Sequence, residues 1–121
     1  MNMKVRPETS IVSIDIYGID VILLSTQEEI DDFIELNDLR KDTYPECNGY
    51  AAFFKKEGGR GFVMMSHDWE VATLVHESVH MAHFIMDELD IPISVKNTEA
   101  EAYLVGYLFK EAFNILFEME N

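Results

Sequence analysis

The stretch "LVHESVHMAH", Leu74 to His83, brings His76, Glu77, His80 and His83 together in a chain that has only four histidines. On a helix turning about 100° per residue, His76 and His80 differ by about 40° in projection and lie one turn apart, so both imidazoles can reach one ion from a single rigid element. That spacing suits Zn²⁺, which binds imidazole nitrogen at about 2.0–2.1 Å. Glu77 projects beside the pair. Its carboxylate is placed to take a proton from a zinc-bound water as that water attacks a carbonyl carbon, and then to protonate the leaving nitrogen. The pattern is His-Glu-x-x-His, a hydrolytic metal site with its own general base. The plainer alternative is a histidine-rich piece of an ordinary amphipathic helix. At this His and Glu content the pentapeptide arises by chance in roughly one or two chains per hundred.

A catalytic zinc usually takes three protein ligands and keeps a fourth position open, so a third ligand is expected from elsewhere. The segment "NTEAEAYLVGYL" offers Glu99, 19 residues beyond His80, and Glu101, 21 beyond. Spacing alone admits both. Thr98 and Glu101 stand at capping-box spacing, which gives Glu101 a structural task at the start of a helix. Glu99 is therefore the expected ligand, with Glu101 as the alternative. His83 lies within about 20° of His76 in projection. Three histidines on successive turns spread along about 10 Å of helix axis, however, so His83 is read as lining the pocket rather than binding the ion. Tyr103 is placed with it. His67, Tyr103 and Tyr107 are further candidates for donating to a developing oxyanion, against a simple packing role for each tyrosine.

The elements that must position these groups follow from periodicity. "SIVSIDIYGIDVILLS" alternates apolar and polar residues at Ile14, Ile16, Ile19 and Val21 around Tyr17-Gly18, which predicts an opening β-hairpin. "TQEEIDDFIELND" has Thr26 and Glu29 at capping-box spacing and Ile30, Phe33 and Ile34 on one face, which predicts a first helix. A polar loop containing Pro45 follows. "GYAAFFKKEGGRGFVMMS" then reads as a second hairpin around Glu57-Gly58-Gly59. From Ser66 or Asp68 as N-cap, a long helix presents Val71, Val75, Val79, Ala82, Met86 and Leu89 at spacings of three and four and is bounded by Pro92. A last helix from Thr98 is apolar through Leu104, Leu108, Phe109, Phe113 and Phe117. The expected fold class is α+β in a single domain spanning 1–121.

Composition limits what this domain can do. It carries 23 acidic against 9 basic residues, a formal charge of -14, which repels nucleic-acid phosphates and anionic membranes. The exception is Gly49 to Met65, where Lys55, Lys56 and Arg60 oppose only Glu57; that asymmetry could guide an anionic substrate, although basic residues at a hairpin tip are usually just solvated. No apolar run reaches the roughly 18 residues of a membrane span, and "MNMKVRPETS" lacks the apolar core of a signal peptide. A cytoplasmic location is expected. The single cysteine, Cys47, has no partner for an internal disulfide and is given no role.

Through "GGRGFVMM", "TLVHESVHMAHFIMDEL" and "NTEAEAYLVGYL", roughly residues 49 to 110, the chain resembles a minimal zincin of the glutamate-ligand branch. It is similar in particular to small zinc metallopeptidase-like proteins of bacteriophages. The resemblance implies one Zn²⁺ held by His76, His80 and Glu99, with Glu77 as the base. It implies a protein or peptide substrate that adds as a strand to the upper edge of the cleft, at the place of Gly61, Phe62, Val63 and Met64. It also implies a host bacterial cytoplasm as the setting. A glycine at His83 and a histidine at Met86 would mark the metzincin branch, and neither is present. The competing expectation is an acidic phage interaction protein that inhibits a host factor, its zinc site structural or vestigial.

Overall fold

The computed structural model describes residues 3–41, 44, 48–56 and 59–118, with backbone alone for Lys56 and Gly59. Its elements are β1 (Ser10–Ile14), β2 (Ile19–Leu24), α1 (Gln27–Leu36), β3 (Tyr50–Lys56), β4 (Gly59–Met65), α2 (Val71–Glu88), a 3₁₀ turn (Val95–Asn97) and α3 (Thr98–Phe117). This is the expected α+β class, in the expected order. Pro45, Cys47 and the turn at 57–58 lie outside the described residues. Among the described residues no helix is long and apolar enough to cross a membrane.

The β1–β2 hairpin closes through Tyr17 N–H to Ile14 O and Gly18 N–H to Asp15 O, both 3.1 Å, and Gly18 takes φ +64, a left-handed conformation that glycine adopts without Cβ strain. Ile16, expected as an inward strand position, falls in this turn and is 68% exposed. Helix α1 starts at Thr26, whose hydroxyl accepts from Glu29 N–H at 3.1 Å. Glu29 reaches back to Ser25 N–H at 2.7 Å, one residue earlier than the usual reciprocal bond.

The strands form one sheet in the order β1-β2-β4-β3. The two hairpins are antiparallel, and β2 runs parallel to β4, with Val21 opposite Phe62 and Leu24 opposite Met65. Because side chains alternate across a strand, the sheet feeds two cores. Val12, Ile14, Val21, Leu23, Phe62 and Met64 face α2 and α3. Ile22, Leu24, Val63 and Met65 face α1, where Ile30 and Phe33 are buried. The result is three layers: α1, the sheet, and the α2–α3 pair.

This topology corrects one expectation. Gly61 to Met64 form no edge: β4 is an interior strand, with Phe62 paired to Val21 on one side and to Phe53 on the other. The uninterrupted apolar run "FVMM" is the mark of a strand buried on both faces rather than of one lining a cleft. The outer strand on that side is β3.

Candidate functional site

Helix α2 begins at Val71 with Glu70 as its N-cap, and no side chain caps it. Ser66, an expected cap, has other work: its hydroxyl donates to Asn48 O at 2.5 Å and accepts from Asp68 N–H at 3.0 Å. Asp68 likewise lies before the helix. The buried face matches the expected one at Ala82 and Met86 and departs from it in the first turns. Val71 and Val75 are 48% and 43% exposed, while Leu74, Ser78, Met81, Ala82, Ile85 and Met86 are buried. Helix α2 is apolar on most sides, so periodicity offers two stripes, and the bulkier Leu-Met-Ile stripe fills the space over the sheet. That rotation turns Glu77 inward and leaves His76 and His80 outside.

The two histidines converge. Their Nε2 atoms stand 3.1 Å apart, with ring centroids 4.7 Å apart and planes at 73°. Two ligands about 2.0–2.1 Å from a tetrahedral ion are separated by about 3.3 Å, so the pair fits two positions of a zinc shell. Beside it, Glu77 Oε2 lies 4.0 Å from His76 Nε2; the Glu77 side chain is 7% exposed and that of His76 67%. Burial pushes the Glu77 carboxyl above the ordinary carboxylate range, and the neighbouring His76 and His80 partly oppose that rise. A buried carboxyl thus stands beside two solvent-facing imidazoles.

Helix α3 departs from expectation at its start. Its N-cap is Asn97, not Thr98, and the Asn97 amide donates to Pro92 O at 2.7 Å instead of capping. Glu101 therefore performs no capping task. Its carboxylate meets His83 Nε2 at 2.6 Å, each side chain about one-third exposed (33% for His83 and 31% for Glu101). Glu99 is exposed in the first turn. Among the described residues no group of three or more His, Cys, Asp and Glu side chains is placed to hold a metal ion, so the structure does not bring Glu99 or Glu101 to the His76–His80 pair as a third ligand. The structure thus forms one cluster from the His76–His80 pair, with Glu77 4.0 Å from His76, and a second from His83 and Glu101.

Comparison with protein-family models, curated proteins and solved structures finds no match to this chain. Tyr103 does not join either cluster: it stacks on Tyr107 at 5.8 Å and meets Tyr17 edge-on at 6.5 Å. It stands two positions from Glu101, about 200° around α3, so it packs against the β1–β2 turn rather than lining the pocket. Tyr107 donates to Ser13 O at 2.7 Å. His67 sits after β4, its Nδ1 3.0 Å from the Tyr44 hydroxyl. Of the basic segment, Arg60 is paired with Glu88 at 2.6 Å and Lys55 is exposed.

One site residue escaped the sequence reading. A Cβ on Gly49 would lie 2.6 Å from Thr73 Cγ2, 3.2 Å from Glu77 Cγ and 3.3 Å from Glu77 Oε2. The chain entering β3 therefore passes close enough to Glu77 that a side chain at position 49 would crowd it. A glycine just before a strand pattern is a known mark of close backbone approach, but "CNGY" reads equally well as a turn.

Proposed function

We propose that this chain is a zinc-dependent hydrolase of peptide bonds, with His76 and His80 holding the ion and Glu77 as general base. The observation that carries the reading is the convergence of the two Nε2 atoms at 3.1 Å beside a buried carboxylate. Glu99 or Glu101, both in the first turn of α3, would complete the ligand set. A bound zinc supplies Lewis acidity, acidifying water and polarising a carbonyl oxygen.

The chain's own residues supply the proton chemistry. A carboxyl held above its ordinary pKa is a stronger base than a solvated one and keeps the proton long enough to pass it to a leaving nitrogen. The substrate seat moves from β4 to β3, the outer strand, whose entry at Gly49 lies against Glu77. An extended peptide adding to β3 by backbone hydrogen bonds would run past the carboxylate.

The test is metal analysis joined to hydrolysis of a broad mixture of peptides. One zinc per chain is expected, lost in His76→Ala and retained in Glu77→Gln, with hydrolysis abolished in both. A protein free of zinc, with metal content indifferent to His76→Ala, sinks the reading. Stoichiometric zinc without hydrolysis would make the ion a brace between α2 and α3.

A further inference from the structure

We infer that Gly49 is a positioning residue for Glu77: its lack of a side chain leaves the space in which the carboxylate stands. The inference rests on the reading of Glu77 as the base and adds a second, distant segment to the site. Glu77 is three residues from Leu74 and four from Met81, both fully buried, so its stem is directed toward the sheet by the helix itself. Helix geometry does not fix the carboxylate, which has χ angles of its own. What borders it is the space beside the Gly49 Cα, where an added Cβ would lie 3.2 Å from Cγ and 3.3 Å from Oε2.

That backbone is itself held. Ser66, fully buried at the end of β4, donates its hydroxyl to Asn48 O at 2.5 Å, and its N–H continues the parallel ladder to Leu24 O at 3.1 Å. A line of hydrogen bonds therefore runs from the central strand β2 through Ser66 to the residue before Gly49. The segment that carries Gly49 is anchored to the middle of the sheet rather than to the surface. Any side chain at position 49 would occupy the space of Thr73 Cγ2 and press on Glu77. Two consequences separate here: the Thr73 contact is a packing matter, whereas the Glu77 contact alters the base.

Gly49→Ala, Thr73→Ser and the double variant distinguish them, because serine lacks the methyl group that the new Cβ would strike. Three measurements apply: thermal unfolding, the Glu77 side-chain carboxyl ¹³C resonance in metal-free protein at fixed pH, and turnover of a peptide mixture by zinc-loaded protein. We expect Thr73→Ser to behave nearly as wild type and Gly49→Ala to lose stability. In the double variant stability returns, while the Glu77 resonance stays displaced and kcat stays about 10- to 100-fold low with KM little changed. If the double variant recovers the wild-type resonance, Gly49 serves packing alone and the inference falls. The resonance decides this even if wild type hydrolyses nothing, an outcome that overturns only the proposed activity.

Discussion

His76 and His80 direct their Nε2 atoms to within 3.1 Å of each other, one helical turn apart on the solvent side of α2. Two neutral imidazoles gain little from such an approach, since each offers one donor and one acceptor and water satisfies both. Under the proposed reading a shared cation would give the arrangement a purpose. His76→Ala and His80→Ala should each weaken zinc binding on the order of a hundredfold or more, read by calorimetry against a competing chelator. Equal zinc affinity in wild type and both variants would remove the metal site.

The two glutamates of α3 make different predictions. Glu101 is engaged with His83 at 2.6 Å, so Glu101→Gln and His83→Ala should show a coupling of about 0.5–1 kcal/mol in a double-mutant cycle of metal-free stability, the range for partly exposed pairs. Glu99 is exposed, and Glu99→Gln should leave metal-free stability within about 0.5 kcal/mol of wild type. Zinc affinity then separates their roles: the glutamate that ligates loses much more affinity on conversion to Gln than the one that supports a neighbour, for which about 10- to 100-fold is the ordinary loss.

Glu77 predicts a pH dependence. Burial raises its pKa, so the folded chain holds this proton more tightly than the unfolded chain does. The corresponding stability is fully present below the unfolded carboxyl's pKa, about 4.3, and is lost as pH rises through the higher folded value. Glutamine has no proton to lose. Metal-free Glu77→Gln should therefore melt a few degrees (about 2–5 °C) above wild type at pH 7, and the gap should close as pH falls below about 4. A gap that is constant with pH, or that widens in acid, contradicts the assignment of burial as the cause.

The rotation of α2 is tested by substitutions on its two apolar stripes. Met81 is fully buried and Val75 is 43% exposed. Met81→Ala should cost about 2–5 kcal/mol in denaturant unfolding. Val75→Ala should stay within about 0.5 kcal/mol, as surface changes do. Similar costs at the two positions would place the sheet against the other stripe.

What the sequence determined by itself is the part of the molecule governed by neighbours along the chain. The i, i+4 spacing of His76 and His80, the cap of α1 at Thr26 and the hairpin at Tyr17-Gly18 depend on backbone geometry within a few residues, and each is found where the pattern put it. The class and order of elements follow from the same local periods. What only the tertiary structure decided involves segments far apart in sequence that compete for the same buried space. Helix α2 had two usable stripes, and the sheet's volume chose the one with Leu74, Met81 and Ile85. The strand "GFVMM" could have been an edge, but pairing with β2 as well as β3 put it in the middle. Glu101 met His83 because α3 folds back along α2, a relation that capping-box spacing does not contain. Gly49 came to rest on Glu77 for the same reason: the sheet brings together residues 28 positions apart, and no period in the sequence encodes that contact.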